Sequence, residues 1–526
     1  MHRSPLTGLW VLLCLSASAA VAEPQPGDPA YAASPDHPVG WRGDGTGRFP
    51  GANPPTTWER KAIPAGGYTT KNILWAAPLP NIGVSSPIVI GDRIFLLAEA
   101  SDVVCLDKQT GKTLWIRSNP EYEALAAEVK QANPAIGEKL LPLSAELAKA
   151  NEEVIAALNA ELPSAATAAF HQPGAALKKK RAIEKQILDT QKDVDKKLFS
   201  HNWGQAVFGY GGTTPVSDGK RVFAFFTTGV TVCYDLEGNR KWIARGTGDG
   251  SEHGNFASPI LCGNQVVVWA NEMRSYDADT GKLLWTNPAK AFNTYGSMFK
   301  VKSGDEWVAC FQWGFFTRIR DGQAVWDQKA FGDSVSTPIV EGDIIFAMVG
   351  YPRPEKEKGL KAFRIPPSTD TGKLNPPAYA FDTNWADDEM VIDKKKNPFD
   401  RGMVASPLFV DGLIYQVNQG GGLTVNDAAT GAQVYRKVLP LKPKTEYWNW
   451  AGCGASPTLA GKFVYLMDNQ GTTLVTRPGK TFDLVATNVI EELRDNKQAQ
   501  NLATPVFDGS RMYYRTPGFL YCIGEK

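Results

Sequence analysis

Histidine is scarce, with five in 526 residues, and only His37, His171, His201 and His253 lie beyond the extreme N-terminus. So few imidazoles argue against a multi-histidine metal centre. The cysteines are dispersed, with no adjacent pair and no C-x-x-C, so neither a redox dithiol nor a zinc knuckle can be read from them. Charge of one sign is also missing. Lys+Arg number 56 against 55 Asp+Glu, a formal charge of +1, and such a balance gives no reason to expect nucleic acid as a partner. No apolar run reaches the roughly 18 residues that a membrane-spanning helix needs, so no transmembrane segment is expected. The H-E-x-x-H, P-loop, G-x-S-x-G and EF-hand patterns are all absent.

The N-terminus reads as a targeting segment. His2 and Arg3 precede the apolar run Leu9 to Leu15, and small residues follow, ending in Ala20-Val21-Ala22. This is the charged, apolar and A-x-A order of a secretory signal peptide over residues 1–22, with Glu23 as the mature start. Cys14 invites a lipoprotein reading, but Leu13 stands before it where a small residue is wanted. The expectation is therefore a periplasmic or secreted protein. Export permits disulfides. Even so, Cys105, Cys233 and Cys522 sit in the similar apolar contexts VVCLD, TVCYD and LYCIG, which read as small hydrophobes inside strands.

What the sequence has in abundance is self-similarity. SSPIVIGDRIFLLAEASDVVCLDKQTGKTLW (85–115) returns at 213–242, at 257–285 and, more weakly, at 297–326. Further copies begin at Ser336, Ala405, Ala455 and Ala503, making eight. All but the weaker copy at 297–326, which opens Ser297-Met298, begin with Ser/Thr-Pro, tolerable at the first residue of a strand. A Gly-Asp type pair then marks a tight hairpin. The third strand leads through a Thr-Gly-Lys type turn to a fourth that ends in an aromatic residue. Such units cannot bury both faces alone and must pack side by side. The expected fold is all-β: an eight-bladed β-propeller over 71–526, preceded by an N-terminal extension, 23–70. The last copy lacks its outer strand, and Asn72-Ile73-Leu74-Trp75 supplies the missing piece. That strand is expected to pair with the C-terminal unit and close the ring.

The stretches Asp107 to Trp115, Asp277 to Trp285 and Asp427 to Tyr435 resemble the tryptophan-docking repeat of quinoprotein-like (PQQ-like) propellers. That family includes pyrroloquinoline-quinone alcohol dehydrogenases. It also includes cofactor-free propellers such as the lipoprotein of the outer-membrane β-barrel assembly machinery. The resemblance covers Ile73 to Lys526 apart from one insertion. Two copies depart from the pattern: the one at Ser336, where Asn375 and prolines follow Thr371-Gly372-Lys373, and the one at Ala455, which lacks the Trp. In its dehydrogenase branch the resemblance implies pyrroloquinoline quinone and calcium. The adjacent Cys-Cys bridge of those enzymes is missing here.

The insertion, 119–200, is rich in Ala, Lys, Glu and Leu. Ile136–Leu162 and Ala175–Leu198 read as helices, with Ile183, Ile187, Val194 and Leu198 forming an apolar stripe. Pro134, Pro142, Pro163 and Pro173 read as breaks or first turns. The expected form is a helical hairpin or small bundle projecting from the rim, with Lys178-Lys179-Lys180-Arg181 as a solvated face or, alternatively, a docking surface for a partner or an anionic surface.

Loops before each Ser/Thr-Pro should gather at one end of the central channel, where a small-molecule site would lie. They nominate His253, Asp333, Arg401, Trp448 and Trp450, with His201 and Trp203 reaching the same funnel. Arg401 could clamp a carboxylate or phosphate, and the tryptophans could stack a flat ring or sugar face. The first functional reading is an exported binding or scaffold protein for a protein partner or small ligand, associated with the envelope. The second is a quinone- and calcium-dependent dehydrogenase of alcohols or sugars. The third is a polysaccharide-acting enzyme using His201 or His253.

Overall fold

A computed structural model describes residues 23–168, 174–199, 211–246, 256–289, 294–332, 334–349, 359–370, 374, 377–380, 404–444, 452–491 and 501–525. These form an all-β protein whose antiparallel sheets, mostly four-stranded, follow one another along the chain. The first sheet shows the rule. Ile88–Ile90 is innermost, followed by Arg93–Ala98, Asp102–Asp107 and Thr113–Ser118. Each strand pairs antiparallel with the next, and the register shifts between Cys105 and Leu106. The same shift falls at Cys233/Tyr234, Ser275/Tyr276, Val425/Asn426 and Val475/Thr476, so the repeat extends to the bulge that bends each third strand. Eight sheets are present among the described residues. The fourth has only three strands, its third being Thr317–Arg318, whereas the fifth has four.

The strand Ile73–Pro78 pairs antiparallel with Phe519–Ile523, opposing Trp75 to Cys522, and so completes the eighth sheet. The seventh sheet is larger than the repeat requires. Arg48–Phe49 adds parallel to its innermost strand, and Glu59–Ala62 adds parallel to its outermost, Asp483–Ile490. The sheet that lacks its own tryptophan thereby receives one: Trp58 stacks on Tyr465 at 6.2 Å and 18° and is buried in the cluster shared by the seventh and eighth sheets.

Between sheets, each docking tryptophan lies flat on the glycine of the next unit's turn. A Cβ on Gly111 would sit 2.7 Å from the Trp75 ring, on Gly238 2.8 Å from Trp115, on Gly281 2.6 Å from Trp242 and on Gly322 2.7 Å from Trp285. These glycines also adopt positive φ, 71° to 85°, so backbone and packing both require glycine there. The indole N–H groups of Trp115, Trp242, Trp285 and Trp326 donate to the carbonyls of Leu236, Ala278, Ile319 and Ser368 in the following unit. All six cysteines of 23–526 are free thiols and five are buried. Burial pushes the Cys233 and Cys522 thiols up to about 12, which leaves them unreactive packing groups.

The insertion forms α1 (Ala127–Ala132), α2 (Pro134–Ala165) and α3 (Ala175–Val194). Pro134 takes the first-turn position, whereas Pro142 and Pro163 lie inside α2 and do not break it. Both face solvent, where water can satisfy the carbonyls they free. The hairpin does not project freely. Val154 and Leu158 bury against the eighth-sheet cluster, and Asn159 exchanges two 2.9 Å hydrogen bonds with the backbone of edge residue Thr113. The basic run is a solvated face only in part: Lys178 and Lys179 are exposed, whereas Lys180 is not. Lys180 is fully buried between Asp102, at 2.7 Å, and Glu184, and Lys179 pairs with Glu153 at 2.6 Å.

Candidate functional site

The opening of every repeat, Ser/Thr-Pro in seven and Ser297-Met298 in the fourth, places one hydroxyl at the same point of its sheet. Successive side chains of an extended segment face opposite ways. At each entry the hydroxyl and the residue two before it therefore point one way, while the residue between points into the sheets. The outcome is a single pocket lined by Ser86, Thr214, Ser258, Ser297, Thr337, Ser406, Ser456 and Thr504, one from each repeat. Above them lie the residues two positions earlier, among them Val84, Phe256, Tyr295, Val335 and Leu502. The pocket encloses about 150 Å³, room for a small organic group as well as water.

The hydroxyls join unit to unit. The amide of Thr214 donates to Ser258 Oγ (2.9 Å), that of Ser297 to Thr337 Oγ1 (2.7 Å), and that of Thr337 to Ser406 Oγ (3.0 Å). Ser406 continues to Ser456 (3.0 Å), Ser456 to Thr504 (3.3 Å), and Thr504 to Ser86 (2.9 Å), which links the last repeat to the first. Each such oxygen accepts from a backbone amide, so its own hydrogen is left to be donated elsewhere.

One lining residue comes from outside the repeats. Trp41 belongs to the N-terminal segment, whose Val39 bridges to Ser217 in the second sheet and whose Arg48–Phe49 pairs with the seventh. Between them the chain turns sharply, with Gly40 and Gly43 exchanging backbone hydrogen bonds. Arg42, within that turn, is fully buried. Its two Nη groups donate to Pro407 O (2.9 Å) and Pro457 O (2.7 Å), the residues following Ser406 and Ser456. Its guanidinium lies 5.3 Å from the Trp41 ring, and burial pushes its pKa down to about 9. A Cβ on Gly47 would come within 2.3 Å of that guanidinium, which fixes glycine there. The N-terminal segment thus spans from second sheet to seventh, with Trp41 in the central pocket.

The nominated His201, Trp203, His253, Asp333, Arg401, Trp448 and Trp450 all lie outside the described residues. Of the neighbouring entry-loop residues, Phe331 is buried in the core and Asn501 bonds Tyr514, so neither lines the pocket. Asn81 sits instead beside Arg181 of α3. Sequence reasoning treated the Ser/Thr-Pro hydroxyls only as strand openers and passed over Trp41 and Arg42. The available signals were the recurrence of a hydroxyl at all eight openings and the glycine spacing of Gly40-Trp-Arg-Gly-Asp-Gly-Thr-Gly47.

A carboxylate-bearing quinone held with calcium would need oxygen ligands for the ion and cationic donors for its acid groups. The described pocket lining contains no Asp, Glu, Lys or Arg, so these walls do not fit that pair. Among the described residues no group of three or more His, Cys, Asp or Glu is placed to hold a metal, and no helix is long and apolar enough to cross a membrane.

Similarity to known proteins agrees with the repeat. No curated protein sequence matches the chain. Among solved structures it is similar to BamB from Moraxella catarrhalis, at 12% identity and a TM-score of 0.40 over 58% of this chain and 82% of that one. It is also similar to the computationally designed Ika8 protein, at 14% and 0.34 over 58% and 93%, and to the C-terminal WD40 domain of Sif2, at 9% and 0.38 over 59% and 79%. The family profile described as "Outer membrane protein assembly factor BamB" matches residues 65–159 and 191–397, more than half of the chain. With its docking tryptophans and repeated four-stranded sheets, the chain belongs to this BamB, PQQ-like repeat family.

Proposed function

We propose that the chain is an exported, envelope-associated binding or scaffold protein, built as an eight-bladed propeller closed by the strand Ile73–Pro78. Three features support the architecture: the eight sheets, the hydroxyl-to-amide links that run on from Thr504 to Ser86, and the seating of Trp75 on Gly111 across the join between the eighth and first sheets. The functional reading rests on the central pocket. Its described walls are neutral hydroxyls and apolar side chains with Trp41 among them, a surface that can recognise a ligand or partner segment but offers no general acid, base or cationic clamp. The candidates His201, Trp203, His253, Asp333, Arg401, Trp448 and Trp450, which lie outside the described residues, fall in the entry segments and are proposed to form the rim of that site. In this reading residues 1–22 are removed on export, which N-terminal sequencing of the mature protein from the periplasm or medium would show as a start at Glu23.

The experiment that separates scaffold from dehydrogenase uses the purified chain with pyrroloquinoline quinone, calcium and a redox dye, over a series of alcohols and sugars. The expected result is no dye reduction above that of free cofactor. Saturable, substrate-dependent reduction would overturn the proposal in favour of the dehydrogenase.

A further inference from the structure

A second pocket, of about 100 Å³, lies where the helical hairpin meets the eighth sheet, and it shares no lining residue with the central one. Its walls are Pro78, Leu79, Val154, Leu158, Leu177 and Phe519. That volume exceeds the ~10–15 Å³ that one water needs and falls short of the ~150 Å³ of a dry cavity that houses benzene, so it suits a branched aliphatic side chain. Ile82 stands at its edge 58% exposed, a large apolar group that nothing in the fold covers.

The polar groups of this pocket are few and incompletely used. Arg181 on α3 donates from Nη2 to Asn81 Oδ1 at 3.1 Å, while its Nε is buried with no hydrogen-bond partner. Asn81 Oδ1 also accepts from the amide of Ile82, which leaves the Asn81 NH₂ group as a donor. On α2, Glu161 lines the same pocket, and its carboxylate makes no ion pair or hydrogen bond among the described residues. The lining therefore includes donors for an anion on α3 and at Asn81, an acceptor for a cation on α2, and a set of apolar side chains.

We propose that this groove binds a free α-amino acid with a mid-sized apolar side chain. The carboxylate is taken by the Arg181 guanidinium and the Asn81 amide, the ammonium by Glu161, and the side chain by the recess. Charge complementarity selects a zwitterion over a fatty acid, which would leave Glu161 beside an anion, and over an amine, which would leave the Asn81 amide and Arg181 without a carboxylate from the ligand, Glu184 being the one protein carboxylate felt by Arg181 among the described residues.

Calorimetric titration of the full chain with L-leucine tests this. One-to-one binding is expected, with leucinamide and N-acetylleucine each at least tenfold weaker, because each lacks one charge. Arg181→Gln should abolish the preference for leucine over leucinamide. Glu161→Gln should abolish the preference for leucine over N-acetylleucine. A change in discrimination is not what a merely structural role would produce. Asn81→Ala, which should weaken leucine while leaving N-terminal discrimination intact, replaces Arg181→Gln if thermal unfolding shows that variant misfolded. The proposal is overturned by an absence of saturable heat with L-leucine, L-valine and L-phenylalanine, or by equal affinity for leucine and its two blocked forms. Either pocket's reading can fail without the other.

Discussion

Trp115 and Gly238 show how little latitude a docking residue has. The indole covers the glycine so closely that no Cβ fits, and its N–H is satisfied by Leu236. Trp115→Ala is expected to destabilise by about 3–5 kcal/mol through the cavity and the lost contacts. Gly238→Ala should cost at least ~1–2 kcal/mol, from the positive φ and the collision together. Urea melts of the double variant should show less loss than the sum, because both changes remove one contact. Glu184 supplies a second residue-scale test. Burial, aided by Asp102 and opposed by Lys180, raises its pKa from 4.5 to about 7. A carboxyl with a raised native pKa binds its proton more tightly folded than unfolded. Its contribution is therefore largest below about 4.5, falls as pH rises towards 7 and is constant above. Glu184→Gln, which keeps an acceptor for Lys180 without the charge, should remove that slope, a change on the order of 2 kcal/mol in denaturant midpoints measured across the window. An unchanged profile would show that another group carries the titration.

At the scale of elements, the hairpin of α2 and α3 is a brace and not an appendage. Asn159 pairs with both backbone groups of Thr113 and so covers the free edge of the first sheet, while the α2 face carrying Val154 and Leu158 packs on the eighth. Further along, Arg245 pairs with Glu121 and also donates to Leu198 O at 2.7 Å, and Arg240 pairs with Glu123 at 2.6 Å; these tie the insertion to the second sheet. One inserted segment thereby joins three neighbouring sheets. Asn159→Leu should cost about 1–2 kcal/mol, since two buried backbone groups lose their partner. Amide exchange at Thr113 should accelerate while exchange in the third and sixth sheets is unaffected. Uniform acceleration would mean that the edge is not a local unit. The helices themselves were legible from composition and the stripe of Ile183 and Ile187, both buried as that spacing requires. The burial of Lys180 was not, because Asp102 lies 78 residues away and no local pattern announces it.

At the scale of the molecule, the join between N- and C-terminal segments is the point on which the proposed ring depends. A chain beginning at residue 72 keeps the strand Ile73–Pro78 but loses Trp41, Arg42 and Trp58. A chain beginning at 79 loses that strand as well and leaves Phe519–Ile523 as an open edge. The first is expected to unfold cooperatively at a lowered temperature. The second should aggregate or melt without a sharp transition, as calorimetry and light scattering would show. Equal behaviour of the two would mean that the N-terminal strand does not hold the sheets together.

The amino-acid order by itself determined the repeat, its hairpins, the spacing of the docking tryptophans, the helical insertion and the membership of a propeller family. All of these are properties of spacing within about 30 residues, where strand period, turn chemistry and side-chain size act locally. Only the tertiary structure decided that eight separate hydroxyls form one pocket, that Trp41 enters it, that Arg42 bonds carbonyls 365 and 415 residues away, and that Trp58 serves a sheet lacking its own tryptophan. The physical reason is that these contacts arise from the radial packing of sheets. That packing brings equivalent positions of distant repeats within hydrogen-bond reach, a proximity that no sequence interval encodes.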